Sequence, residues 1–197
     1  MFFRTRSSLP HRWRVAVDWA TSIALAVAFV LVFEAEVAKP YRIPSASMEP
    51  TLHCARPAAG CVSRFSDRVF ACRVCYHLEQ PARGDIVVFE TPPRTERACG
   101  AGGTFVKRII ALPGEVWEER AGRVFIDGKP LDEPYVRSDR RDHETYPPVR
   151  IEPGRYFVMG DNRASSCDSR RWGTVQKGNL IGKVVATYWP PDRLSAR

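Results

Sequence analysis

The sequence predicts a mainly β protein: a single N-terminal transmembrane helix followed by an antiparallel β-rich body with a small β lobe. Three observations carry this. Residues 15–33 form one unbroken apolar run. Proline is plentiful at 16 residues while methionine is sparse at 3, a balance that favours strands and turns over long helices. The remaining apolar segments are short, of strand length, and bounded by turn residues. At 197 residues the chain holds one medium domain, or a core with a small appendage, plus a membrane segment. The division expected is a basic segment at 1–14, an anchor at 15–33 and a body at 34–197, with a lobe inserted at about 116–152.

The run from Val15 to Phe33 reads VAVDWATSIALAVAFVLVF, with Asp18 as its one charge. As a helix it covers roughly 28 Å, close to the hydrocarbon thickness of a bilayer. Arg4, Arg6, Arg12 and Arg14 precede it and no acid occurs before Asp18. By the positive-inside rule the N-terminus stays in the cytoplasm and everything after Phe33 lies outside. A cleavable signal peptide would need small residues one and three positions before the cut. A cut after Ala35 puts Phe33 at the third position, and one after Ala38 puts Glu36 there. The segment is therefore expected to be a retained anchor. The formal net charge of +8 comes without a basic stripe interleaved with aromatics, so no nucleic-acid partner is expected.

Beyond the anchor, residues 34–41 read as a polar connection and Pro44–Leu52 (PSASMEPTL) as an irregular, ordered loop. Residues 53–84 hold four of the six cysteines, and only 66–78 resembles a strand. Asp85–Glu90 (DIVVFE) and Thr104–Leu112 (TFVKRIIAL) read as core strands. Residues 115–126 alternate and turn at Ala121-Gly122, as a hairpin does, and Asp127-Gly128 is a further tight turn. Residues 129–150 are polar and proline-rich and read as surface loops of the lobe. Tyr156–Met159 reads as a strand leading into GDNRASSCDSRRWG (160–173), and Leu180–Trp189 as the closing strand.

His11, His53, His77 and His143 are scattered without HExxH spacing, and no G-x-S-x-G elbow occurs. A serine nucleophile would need another base. A neutral lysine can serve, provided its pKa falls about 2 to 3 units from its ordinary value near 10.4, which burial among apolar groups can achieve. Lys107 sits in such a run. At strand period Phe105, Lys107, Ile109 and Ala111 share a face, and Arg108 points to the other.

Four segments, in order behind a single anchor, carry a more specific signal: PSASMEPTL, RGDIVVF (83–89), KRIIALPGE (107–115) and GDNRASSCDSRRWG. Together they resemble the conserved boxes of bacterial type I signal peptidase, the leader peptidase family of Ser/Lys proteases. The resemblance covers the anchor and most of residues 41–189. It implies that Ser47 is the nucleophile and Lys107 the general base. Ser45 would complete an oxyanion hole with the backbone N–H of Ser47, and Ser166 would orient the lysine amine. Asp161, Arg163, Asp168 and Arg170 would support the active-site loop by structural pairing.

The resemblance further implies a serine endopeptidase without metal or cofactor, cleaving preprotein signal peptides after small residues at minus 3 and minus 1. Its partners would be those substrates and the lipid bilayer of the plasma (inner) membrane, which it would cross once; a monomer is expected. Ala46 stands where glycine is common in the family. The cysteines are the larger departure. Outside the cytoplasm Cys54, Cys61, Cys72, Cys75, Cys99 and Cys167 could form disulfides, with Cys54 and Cys61 the expected local pair. The Cys72-x-x-Cys75 spacing suggests zinc or redox chemistry, but in a strand the two side chains would face opposite sides and no second CxxC follows at ribbon spacing, so no zinc site is expected; Cys167 is expected to be a small buried residue. Two other functions remain to be separated: a Ser/Lys protease of the self-cleaving repressor type, and an inactive membrane-tethered binding module, cysteine-bridged or zinc-stabilised.

Overall fold

The structure, a computed structural model, describes residues 10–32 and 37–196. Helix α1 spans His11–Val32 and begins at the Pro10 carbonyl, which accepts the N–H groups of Trp13 and Arg14. Its apolar stretch, Arg12–Leu31, has a mean hydropathy of 1.7 and none of it is buried. A helix this apolar and uncovered has the length and composition to cross a bilayer, where its backbone groups satisfy one another. The last residue of the expected anchor, Phe33, lies outside the described residues.

The segment expected as a polar connection instead contributes a strand, β1 (Ala38–Arg42), at the edge of the main sheet. Pro40 and the exposed Lys39 and Arg42 hide it from pattern reading, yet an edge strand tolerates both proline and charge. It pairs with β2 (Arg68–Cys72). Then follow the short helix α2 (Cys75–Leu78), β3 (Ile86–Glu90), α3 (Arg94–Cys99) and β4 (Thr104–Ala111). After the lobe come β9 (Arg155–Met159), α4 (Ser169–Trp172), β10 (Val175–Gln176), β11 (Leu180–Trp189) and β12 (Ser195–Ala196). These strands form an eight-stranded antiparallel sheet in the order β1-β2-β11-β3-β4-β9-β10, with β12 on β11. Leu180–Trp189 is thus a strand as expected but not the final one.

The lobe is a second antiparallel sheet, β7-β6-β5-β8, built from β5 (Val116–Arg120), β6 (Arg123–Ile126), β7 (Lys129–Pro130) and β8 (Tyr146–Arg150). The β5–β6 hairpin turns through Ala121 (φ 47°) and Gly122 (φ 73°), as a two-residue turn with both centres left-handed requires. Residues 129–150 are therefore not loops throughout. β7 and β8 lie at the two ends of the sheet order and are almost wholly exposed, so burial left no periodic signature in them.

The main sheet is covered on both faces. Along β3, Ile86 and Val88 join a cluster with Ile43, Met48 and Leu52, while Val87 and Phe89 join one with Ile109, Val158 and Trp172. That is why DIVVF reads as a continuous apolar run rather than an alternation. In β4 the alternation holds from Phe105 to Ile109. A bulge against β9 between Ile109 and Ala111 then turns Ile110 and Ala111 together toward Trp117, Phe157 and Met159, beneath the lobe. Ala111 consequently leaves the face that sequence period assigns it with Lys107.

Candidate active site

Ser47 lies in a single turn of 3-10 helix, Ala46–Met48, whose three residues are all buried. Ala46 and Met48 belong to the apolar cluster beneath β3, so they pin the turn while Ser47 faces the cleft. Two hydrogen bonds from Asn162 hold its carbonyls: the backbone N–H donates to Ser47 O (3.1 Å) and Nδ2 to Ala46 O (3.0 Å). Gly160 permits this close approach, since a Cβ there would fall 2.4 Å from Ser47 O and 2.3 Å from Ser166 Oγ.

Lys107, in the middle of β4 and 3% exposed, donates from Nζ to Ser47 Oγ at 2.6 Å. Its amine lies 5.4 Å from the centre of the Phe105 ring, two residues back on the same face. Burial lowers its pKa from 10.5 to about 8, against the opposing pull of Asp168 and Asp161; Arg170 assists the fall. Ser45 Oγ is 3.3 Å from Ser47 Oγ. Ser166 is brought to the same place: its Oγ is buried beside Gly160, on the side that Ser47 O occupies, with no hydrogen bond to Lys107.

The residues assigned to support form a dense ionic network. Arg170 donates to both oxygens of Asp168 at 2.9 Å, and Asp168 also accepts the Gly160 N–H at 3.1 Å. Burial alone would raise the Asp168 pKa; the Arg170 charge and these bonds outweigh it and hold the carboxyl below its ordinary value. Arg163 donates from Nε to Gly160 O (3.0 Å) and pairs with Glu133. Asp161 is gripped at two points by Arg108, at 2.8 and 2.6 Å.

Sequence reading missed several members. Arg108 is buried and paired with Asp161, although its position opposite Lys107 is as expected. Glu133 and Asp142 come from the stretch taken for surface loops, and Asp142 pairs with Arg170. A carboxylate in a polar segment looks solvated unless its arginine partner is known. The signal available was the excess of arginine in 160–173, which needs acids from elsewhere to be buried. Glu119, which lies 3.6 Å from Arg170 and is buried with neither oxygen hydrogen-bonded, was missed for the same reason.

The cysteines close into three disulfides. Cys54–Cys61 is the expected pair. Cys72–Cys75 corrects the view of a continuous strand: β2 ends at Cys72 and α2 begins at Cys75, and the change of direction brings the two side chains together. Cys167 is not an isolated buried thiol but joins Cys99, 68 residues away. Among the described residues no cluster of three His, Cys, Asp or Glu side chains is placed to hold a metal ion.

A cleft of about 500 Å³ opens in front of Ser47 and Lys107, with Ser45, Ala59, Ala101 and Gly102 among its lining residues. A hydroxyl bonded to a dry amine at the floor of an open cleft can perform acyl transfer without histidine, the chemistry of a serine hydrolase.

Comparison with known proteins agrees. The family model for "Signal peptidase, peptidase S26" matches residues 16–189. The chain is 37% identical to a signal peptidase I of Leptolyngbya laminosa over 189 residues, 95% of this chain and 87% of that one. It is 32% identical to a signal peptidase I of Mycobacterium tuberculosis over 235 residues, 96% of this chain and 78% of the relative. A crystal structure of a signal peptidase I from Enterococcus faecalis V583 is 30% identical, with a TM-score of 0.44, covering 54% of this chain and 97% of that one. The chain belongs to the signal peptidase family, peptidase S26. Its function is that of a signal peptidase I, a serine peptidase, which removes the reading as an inactive tethered module.

Proposed function

We propose that Ser47 is the nucleophile and Lys107 the general base with which this peptidase cuts preproteins after small residues at minus 3 and minus 1. The unprotonated Lys107 amine takes the Ser47 hydroxyl proton as Oγ attacks the carbonyl carbon of the minus 1 residue. The Ser47 N–H and the Ser45 hydroxyl donate to the oxyanion. Collapse of the tetrahedral intermediate expels the new N-terminal amine, which takes the proton from Lys107. A water, deprotonated by Lys107, then attacks the acyl-serine ester, and the proton passes from Lys107 to the leaving Ser47 Oγ as the signal peptide is freed. Ser166 limits the positions the amine can take, and Asp161, Arg163, Asp168 and Arg170 hold the loop that backs it.

The observation that carries this reading is the 2.6 Å contact between Nζ and Oγ inside an apolar, water-poor site. The order of the chain supports the setting: a basic N-terminus in the cytoplasm, α1 across the plasma (inner) membrane, and a monomeric body outside it bearing the lobe at about 116–152. Three disulfides suit that oxidising side. Ser47 lies 14 residues beyond Phe33, so the nucleophile stays within roughly 50 Å of the membrane exit, where a bilayer-held preprotein presents its cut site.

The test is cleavage of a purified preprotein by the full chain in detergent. Ser47→Ala and Lys107→Ala should each lower kcat by about 10³-fold or more, and wild-type kcat/KM should rise with pH through about 8 as Lys107 loses its proton. Wild-type rates from either variant would end the assignment.

A further inference from the structure

Two of the three disulfides are local, closing 7 and 3 residues of sequence, and neither Cys61 nor the Cys72–Cys75 pair lines the cleft. The third differs on both counts. Cys99 and Cys167 are 68 residues apart, and both line the cleft that holds Ser47 and Lys107.

The two segments they join are held very unequally. Cys167 lies in the loop 160–172, which is fixed many times over: Asp168 by Arg170, Arg163 by Glu133, Asp161 by Arg108 and Asn162 by the nucleophile turn. Cys99 lies in the excursion 91–103 between β3 and β4. That excursion is closed at its base by the Glu90–Thr104 pairing and by Thr91 N–H donating to Gly103 O at 2.8 Å. α3, whose one buried residue is Thr95, lies against α4. Past Cys99 the chain runs Gly100-Ala101-Gly102-Gly103, exposed, with Gly100 and Gly103 at positive φ. Among the described residues Ala101 and Gly102 have no hydrogen-bond partner. These two nevertheless form a wall of the cleft. A glycine-rich rim with no side chains to pack keeps one position only if tied, because each freed residue regains backbone entropy of about 1 kcal/mol.

We propose that the Cys99–Cys167 disulfide is a positioning strap that fixes the Gly100–Gly103 rim as a wall of the substrate cleft, setting substrate affinity and the exclusion of large side chains. The inference rests on the function proposed above. Its target is the rim and not the dyad, because the loop on the Cys167 side keeps its ionic anchors when the bond is absent. The charges that act on Lys107, namely Asp168, Asp161 and Arg170, all belong to that anchored loop. With the strap cut, a substrate must order the rim as it binds, and the loosened wall admits side chains that the tied one refuses.

The experiment compares wild type with the full-length Cys99→Ala/Cys167→Ala variant in detergent, on preproteins carrying Ala or Leu at minus 3. The expected result is a KM raised about five- to twentyfold with kcat changed less than about threefold, the size of effect that reordering a few backbone residues produces. The Ala-over-Leu preference in kcat/KM should fall by about tenfold, and the limb of the pH profile near 8 should stay in place. An unchanged KM and preference overturns the proposal. So does a fall in kcat with a displaced pH limb, which would place the action of the bond on Lys107. Folding is checked by stoichiometric acylation of Ser47 with a serine-directed probe. Should the variant fail that check, folded wild type opened at this bond by a phosphine, capped with methylthio groups and mapped by mass, supplies the same readouts. Cleavage by Ser47→Ala would sink the parent assignment instead, so the two failures are told apart.

Discussion

The two sides of the candidate active site are built from opposite materials. Around the Ser47–Lys107 contact the neighbours are Ala46, Met48, Phe105 and Val106, and no carboxylate bonds the amine. A few residues away, the loop 160–172, the lobe and Arg108 of β4 interlock four arginines, 108, 141, 163 and 170, with carboxylates at 119, 133, 142, 161 and 168. The contrast shows how a lysine can have its pKa lowered beside so many acids. Each acid that would draw a proton onto Lys107 is already committed to an arginine, so burial prevails and the pKa falls to about 8. The ionic half keeps its own charges balanced.

The comparison breaks most sharply where an arginine is removed. Arg170→Met leaves the buried Asp168 and the partly buried Asp142 without their arginine and should destabilise the protein by about 3 to 5 kcal/mol. It should also move the acid limb of kcat/KM to higher pH, because Asp168 then acts on Lys107 unopposed and the Arg170 charge that helps lower the lysine pKa is gone. Arg163→Met is the control. It takes the nearer of two arginines from the buried Glu133, leaving Arg141 at 3.5 Å, and should also cost stability, but the charges acting on Lys107 remain paired, so the limb should not move. Thermal melts and pH–rate profiles of the two variants distinguish an electrostatic role from mere scaffolding. Equal limb shifts in both would refute the distinction.

The converse change sharpens the other half. Lys107 has a pKa lowered on folding, so below about 8 the folded state carries the full cost of a buried ammonium, a cost that shrinks as pH rises toward 10.5 and vanishes above it. Lys107→Met, inactive by the mechanism proposed, should therefore be more stable than wild type by about 3 kcal/mol at pH 6.5, the worth of a drop from 10.5 to about 8. Its advantage should shrink at pH 9.5. Ser47 Oγ keeps Ser45 Oγ at 3.3 Å, so no hydroxyl is stranded. A Met variant no more stable than wild type at low pH would show that the amine is solvated after all.

These two halves were also unequally legible in the sequence. DIVVF, TFVKRIIAL and the four motif segments state their roles locally: apolar runs of strand length, a lysine among them, a serine before Met48. The ionic half depends on contacts between distant segments, and a polar residue carries no mark of its burial. Glu133, 1% exposed along its side chain, sits in a proline-rich stretch with no apolar periodicity, and β1 was masked by Pro40 and its charges. The Cys99–Cys167 bond was equally hidden, since spacing cannot pair cysteines across 68 residues. The bulge after Ile109 likewise left no trace in the pattern of β4.

The smallest effect belongs to Glu119, the one carboxylate of the ionic half that is not fully answered. Neither of its oxygens is hydrogen-bonded, and Arg170, 3.6 Å away, is shared with Asp168 and Asp142. Burial pushes its pKa up from 4.5 to about 7, against the pull of Arg170. A folded-state pKa above the unfolded one means that the protonated acid stabilises the fold below 4.5, and that this contribution is lost as pH climbs through 7. Glu119→Gln keeps the shape and cannot ionise. Above pH 7 it should melt higher than wild type by about 2 to 4 °C, the shift that roughly 1 kcal/mol produces in a domain of this size. Near pH 5, where wild-type Glu119 is already largely neutral in the folded state, the difference should shrink. A uniform change across that range would mean that Glu119 is ionised throughout and that Arg170 answers it as fully as it answers Asp168.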